Sequence, residues 1–296
     1  MSHSIKNPGL LVAAKKRIID VSRWLGGYHG THAVIVVASL LIIAIIWVAL
    51  TVQLRNERQD IVNGVIKDNA NLARAYEEHA IRTFKGVDAV ALFLKHEYAR
   101  SGSALDIGRY INNGTIDSRL FTVVSILDEQ GTVVASAGVP LNLNFADREY
   151  FKVHLQQDSG KAYISKPTVG RVSGKWAFQL TRRINKPDGR FGGIVSVGIN
   201  PVYFANFYQQ SDLGESGLAM LVGLDGISRV RQAGRVSTFG QDLSNNTLLT
   251  YRRNKPVGNF LSAGKVEGVP RYVSYRTLAE YPLMVAVGTS GEGDAG

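Results

Sequence analysis

The sequence predicts an α+β protein with one transmembrane helix, a long helix after it, and two tandem modules built on antiparallel sheets. Three observations carry this. Residues 33–52 read AVIVVASLLIIAIIWVALTV and hold no charge. Residues 54–98 hold no proline and repeat apolar residues at helical spacing. The order hairpin, intervening segment, hairpin then occurs twice before the C-terminus.

A charge-free run of this length matches a hydrocarbon core of about 30 Å as a helix. It is too long for the apolar core of a signal peptide, and no small-residue cleavage site follows it. Trp47 suits an interface anchor near its far end. Before the span, Lys6, Lys15, Lys16, Arg17 and Arg23 face only Asp20. The positive-inside rule then places the basic segment 1–32 in the cytoplasm and residues 53–296 outside. The chain has no cysteine, which excludes disulfides and thiolate metal sites.

Residues 53–100 read as a long stalk or packing helix. Leu72, Tyr76, Ala80, Phe84, Val87, Ala91, Leu94 and Tyr98 fall on one face, while Arg74, Glu77, Glu78 and Lys85 take others. Ser101-Gly102-Ser103 ends it. Residues 101–210 are expected to form a membrane-distal module and residues 211–290 a membrane-proximal one, with a polar tail at 291–296. In the first module, FTVVSILDEQGTVVASA (121–137) is a strand, turn and strand. KWAFQLTRRI, the turn NKPDGR and FGGIVSVGI follow as a second hairpin. PVYFANFYQQ (201–210) is an amphipathic linking helix, with proline suited to its first turn. The second module repeats the order with LAMLVGLDGISRV (218–230), then RYVSYRTL and LMVAVGTS around AEYP. This is a weak internal repeat of an α+β module.

Several chemistries are excluded or unsupported. GRVSGKW (170–176) is no phosphate loop, because only three residues separate Gly170 from Gly174 and Trp176 follows Lys175. It reads instead as a loop between two strands at the rim of a pocket, its cations either raising the local concentration of anionic ligands or simply solvated. His96-Glu97 starts like a zinc motif, but Arg100 stands where the second histidine belongs. No G-x-S-x-G elbow occurs. Nothing nominates a catalytic residue, a metal site or a cofactor, and nucleic acid is not expected as a partner.

The run Asp147-Arg-Glu-Tyr-Phe151, then Tyr163-Ile-Ser-Lys-Pro167, Gly170 to Arg183 and Phe191-Gly-Gly-Ile-Val195 resembles a double Cache (tandem PAS-like) sensor domain. It is most similar to the variety on bacterial membrane-bound diguanylate cyclases and histidine kinases. The resemblance covers about residues 53–290. It implies a bacterial inner-membrane location, a periplasmic ligand-binding distal module and a relaying proximal module. In the amino-acid-binding branch of that family, an R-x-W-Y motif opens the helix over the pocket. The matching residues here are Arg148, Tyr150 and Phe151, so Arg148 inherits the ligand carboxylate while the aromatic pair departs. The branch's aspartate for the ligand amine appears here as Gly198, which favours a simple carboxylate or another small anion.

The residues themselves agree in part. A guanidinium offers a planar fork that matches a carboxylate. Strand parity puts Trp176, Phe178, Leu180 and Arg182 on one face, and Lys175, Gln179, Thr181 and Arg183 on the other. It likewise separates Val195, Val197 and Ile199 from Ser196, Gly198 and Asn200. Each apolar face is expected to pack on the long helix. The polar faces need partners, either a ligand or solvent. Gln179 and Ser196, with Tyr163 and Ser165 on the preceding strand and Lys175 at the rim, complete the expected ligand set. His154 lies on the same helix as Tyr150 and is the weaker candidate.

Three readings follow. The first is a sensor module with a small anionic ligand, anchored in the bilayer through residues 33–52 and dimeric through its long helices. The second is a ligand-independent dimerisation scaffold. The third is an anchored enzyme, for which no constellation is found. The sequence ends at GTSGEGDAG with no second span. The expectation is a fragment of a longer receptor or a receptor without its output.

Overall fold

The computed structural model describes residues 28–116, 120–211, 213–264 and 268–290. Most of the basic segment 1–32 and the tail 291–296 lie outside the described residues. The chain divides into two compact units, Met1–Asn63 and Gly64–Gly296. In the first, helix α1 (Tyr28–Ser101) begins. Its early part has a window of mean hydropathy 3.0, none of it buried. It is long and apolar enough to cross a membrane. Isoleucines 35, 45 and 46 and Trp47 are all exposed there.

In the second unit, α1 lies against two six-stranded antiparallel sheets. The predicted stripe is the buried one: Tyr76, Ala80, Phe84, Val87, Ala91 and Leu94 are all inaccessible or nearly so. After a short helix α2 (Ile107–Asn112), sheet one comprises β1 (Phe121–Leu127), β2 (Val133–Ala137), β3 (Tyr163–Ile164), β4 (Thr168–Val169), β5 (Trp176–Asn185) and β6 (Phe191–Ile199). Its order is β2-β1-β6-β5-β3, with β4 also on β5. Helix α3 (Glu149–Gln156) lies between β2 and β3 in sequence, and α4 (Pro201–Gln209) follows β6. Pro201 at the first turn and the Asn200 cap fix where α4 starts.

Sheet two comprises β7 (Leu218–Gly223), β8 (Ser228–Ala233), β9 (Val236–Thr238), β10 (Val257–Ser262), β11 (Arg271–Thr277) and β12 (Leu283–Thr289), with α5 (Thr247–Asn254) before β10. Its order is β10-β11-β12-β7-β8-β9. Phe178, Leu180, Val195 and Val197 of sheet one share a core with the α1 stripe, α4, and Leu221 and Val285 of sheet two. The other face of sheet one packs Leu127, Val133 and Ile194 with Phe151 of α3. The other face of sheet two packs Met220, Val273 and Met284 with Leu248 and Leu249 of α5. Polar contacts register the helix. Asn69 donates to the Tyr272 carbonyl at 2.8 Å. Arg182 holds Asp88 through both carboxylate oxygens, at 2.5 and 2.7 Å.

The repeat is visible bond by bond. Each first hairpin turns on a left-handed glycine, Gly131 or Gly226, with φ 81° and 83°. Each glycine's carbonyl accepts a backbone N–H at 2.8 Å, from Phe145 in one module and Leu243 in the other. A β-bulge falls at Ile126/Leu127 and at Leu221/Val222. By this register Arg148 corresponds to Asn246, and each is the residue capping its helix.

One glycine bounds the second hairpin of sheet one. Gly193 has φ 123°, and a Cβ there would lie 2.0 Å from the Leu127 carbonyl oxygen. Gly193→Ala is therefore expected to cost about 1–3 kcal/mol. Gly86→Ala, on the exposed side of α1 with nothing within 4 Å, should instead stabilise by about 0.5–1 kcal/mol. Thermal melts of the two variants check the opposite signs.

Candidate functional site

Between the outer face of sheet one and the start of α3 lies a cavity with about 50 Å³ open to water-sized spheres. Its floor is strand parity made physical. Ser125 pairs with Ser196 and Gln179 with Gly198 across the sheet. The Ser196 hydroxyl donates to Gln179 Oε1 at 3.1 Å, and both side chains are buried. Thr122, Val123, Gly138, Val139 and Phe145 close one side, and the loop from Gly170 to Ser173 forms the rim.

Arg148 enters from the helix end. Its backbone is extended, at φ −73° and ψ 141°, and its side chain makes no capping bond. Its Nε is buried and has no hydrogen-bond partner among the described residues. Such a donor, taken from water and not repaid, costs about 1–3 kcal/mol. Tyr150, the second residue of α3, adds an aromatic wall. Burial pushes its hydroxyl up to about 12, against the pull of the Arg148 charge. The phenol stays a neutral donor at any physiological pH.

Arg171 also lines the cavity, but its charge is engaged. It meets Asp147 at 2.5 Å, donates to the Asn144 carbonyl at 3.3 Å, and lies over the Phe145 ring at 5.7 Å. Its guanidinium holds the Asp147 carboxyl below the usual carboxylate range. Asp147 is thus drawn to Arg171 rather than to Arg148. No Asp or Glu lines the cavity among the described residues. A side chain at Gly198 would start 2.6 Å from Val123 Cγ1 and 2.7 Å from Thr122 Oγ1. An aspartate at that position has no room without repacking.

Arg148, Tyr150, Gln179 and Ser196 are thus brought together, and the other four expected residues stand elsewhere. Phe151 points into the core under α3, with its ring 5.4 Å from that of Phe191, because one helical step past Tyr150 turns it toward the sheet. The Tyr163 hydroxyl donates to Glu149 at 2.7 Å, outside the cavity. Ser165 is held by main chain: its hydroxyl donates to the Lys166 carbonyl and accepts the Gln179 N–H at 2.8 Å. Lys175 is exposed just before β5. His154 is buried on Thr181 at 2.8 Å and does not line the cavity. The sequence reasoning missed the β1–β2 wall; it placed the GRVSG loop at the rim, where the loop lies, without singling out Arg171 as a lining residue. Parity of β1 marks Val123 and Ser125 as one face, but only the fold says which face. No group of residues able to hold a metal ion occurs among the described residues.

Comparison with known proteins follows this geometry. Residues 201–288 match the family model dCache_1_like, described as a histidine kinase sensor domain. The extracellular domain assigned to the histidine kinase rpHK1S-Z16 is 29% identical, with a TM-score of 0.68 over 76% of this chain and 93% of that one. The V. cholerae histidine kinase DctB sensor domain shares the fold at 14% identity and TM-score 0.53, over 77% and 98% of the two chains. The ligand-binding domain of the Pseudomonas aeruginosa PAO1 amino acid chemoreceptor PctC, solved with GABA, does so at 15% and 0.52, over 76% and 99%. A search of curated proteins finds no match.

Proposed function

From the premise that this chain carries the double Cache fold of histidine-kinase and chemoreceptor sensor domains, we propose that its distal cavity senses a small carboxylate or similar anion outside the membrane. The observation that carries this reading is Arg148. It offers a buried, partnerless Nε to a cavity that no carboxylate lines among the described residues. A ligand carboxylate would satisfy that donor, with Tyr150, Gln179 and Ser196 as further polar partners. The absence of an acidic lining residue disfavours an α-amino group, which needs a counter-charge. The volume favours few heavy atoms, being well below the roughly 150 Å³ of an apolar cavity that takes benzene.

In this reading Gln179 passes occupancy on. Its N–H donates to Ser165 Oγ, and the adjoining Ile164 carbonyl accepts Arg229 Nη2 of the proximal module at 3.4 Å. A ligand shifts such a pair of arrangements only by its differential affinity for them. The span at 33–52 anchors the chain in the bilayer, its N-terminus is cytoplasmic, and two copies pair through their long helices.

The test is a thermal-shift screen of the full chain in lipid nanodiscs. Small mono- and dicarboxylates, α-amino acids and phosphate are compared on wild type and Arg148→Ala. A true ligand at a hundredfold its Kd stabilises by about 2.7 kcal/mol. A carboxylate that shifts wild type and not the variant is the expected result. An amino acid acting through Arg148 would overturn the ligand class. Silence across the panel would shift the reading to the scaffold.

A further inference from the structure

The distal cavity offers hydrogen-bond donors and withholds side-chain acceptors. Gln179 and Ser125 line it at 8% and 4% exposure. Gln179 Oε1 is already occupied by the Ser196 hydroxyl at 3.1 Å. That leaves the amide Nε2, which has no hydrogen-bond partner among the described residues. The Ser125 and Tyr150 hydroxyls are likewise unbonded there, whereas the Thr122 hydroxyl is spent on the Gly198 carbonyl at 3.2 Å. Gln179 carries the one side-chain carbonyl in the lining, and no carboxylate joins it among the described residues. A buried amide donor without a partner is costly, so the ligand that fits has an acceptor for it.

Charge and size narrow the ligand further. Two guanidinium groups line the cavity, and that of Arg171 is matched by Asp147 at 2.5 Å. Only Arg148 is left for a ligand charge. A second carboxylate on the ligand would enter without a counter-charge, which a buried site penalises. The second acceptor is therefore neutral. The open volume of about 50 Å³ holds about four water-sized spheres, and Val123, Val139 and Phe145 give it an apolar side. A carboxylate, one neutral acceptor and a methyl group exhaust that space.

Granted the anion reading of this cavity, on which this rests, we infer that its ligand is a short 2-oxo monocarboxylate. The carboxylate meets Arg148, and the keto oxygen accepts from Gln179 Nε2. A 2-hydroxy acid of the same shape brings a proton for which no side-chain carbonyl is free. A plain carboxylate leaves Nε2 unpaired.

Titration calorimetry of the full chain in lipid nanodiscs tests this with pyruvate, L-lactate and acetate, empty nanodiscs serving as blank. Pyruvate binds wild type about tenfold or more tightly than either of the others, as for one hydrogen bond made or missed in a buried site. Gln179→Met brings pyruvate down to the acetate level and leaves acetate unchanged, a split that mere loosening of the fold would not give. The three ligands on wild type decide by themselves if that variant does not fold. Acetate binding as tightly as pyruvate, or L-lactate binding at least as tightly, overturns the 2-oxo assignment and leaves the anion reading standing. Pyruvate binding that survives Arg148→Ala, or no binding by any of the three, overturns both.

Discussion

Phe84→Ala is expected to destabilise both modules at once, by about 3–5 kcal/mol. The side chain has no exposed surface. Its ring meets Phe178 of β5 at 6.2 Å, Phe204 of α4 at 5.7 Å and Tyr281 before β12 at 5.2 Å. One residue of α1 therefore touches sheet one, the linking helix and the turn leading into sheet two. Truncation leaves a void walled by three aromatics from three elements, which cannot collapse together without moving a sheet. The predicted loss is a large share of the roughly 5–15 kcal/mol that holds a domain folded. Urea unfolding in a Trp24→Phe, Trp47→Phe background, followed by Trp176 fluorescence and by far-ultraviolet dichroism, should show both signals moving to lower denaturant together. Phe84→Leu, which keeps much of the volume, should cost clearly less. If fluorescence moves and dichroism of the remaining structure does not, the helix serves sheet one alone.

The same residue shows how much of the fold was legible. Phe84 belongs to a stripe with helical spacing, and such a stripe is local information. The hairpins were equally local, because Asp-Gly and Gly-containing turns between β-rich runs bound them. The site was legible only where a local period governed it. Alternation along β5 and β6 put Gln179 and Ser196 on one face with Gly198, and the cavity floor lies there. It could not reach Phe151, where a single helical step separates a cavity wall from the core. Nor could it see that the two-residue strand β3 gives the Ser165 hydroxyl to main-chain partners. The partner of Arg148 was a tertiary question as well. Asp147 is adjacent in sequence, yet Arg171, more than twenty residues away in the rim loop, takes that carboxylate and leaves Arg148 to the cavity.

His154 supplies the second large effect, a loss of stability in mild acid. The ring is 2% exposed and bonded to the Thr181 hydroxyl. Burial lowers its pKa from 6.5 to about 4, partly opposed by the Thr181 contact and reinforced by the Arg183 charge. Above pH 6.5 the ring is neutral in both folded and unfolded chains, so its protonation costs nothing. Below that value the unfolded chain takes up a proton that the folded chain refuses. Stability therefore falls as the pH drops toward 4 and stops falling from this cause once the folded ring protonates too. The full window amounts to roughly 3 kcal/mol. His154→Gln keeps a polar partner for Thr181 and removes the titration. Urea midpoints at pH 7 and pH 4.5 for both proteins isolate the histidine, since other groups titrate equally in each. The wild type should lose more stability than the variant by most of that amount. Equal losses would mean that the α3 end opens to water and lets the ring protonate in place. Because α3 also presents Arg148 at its other end, that outcome would make the helix a mobile cover of the cavity rather than a fixed wall.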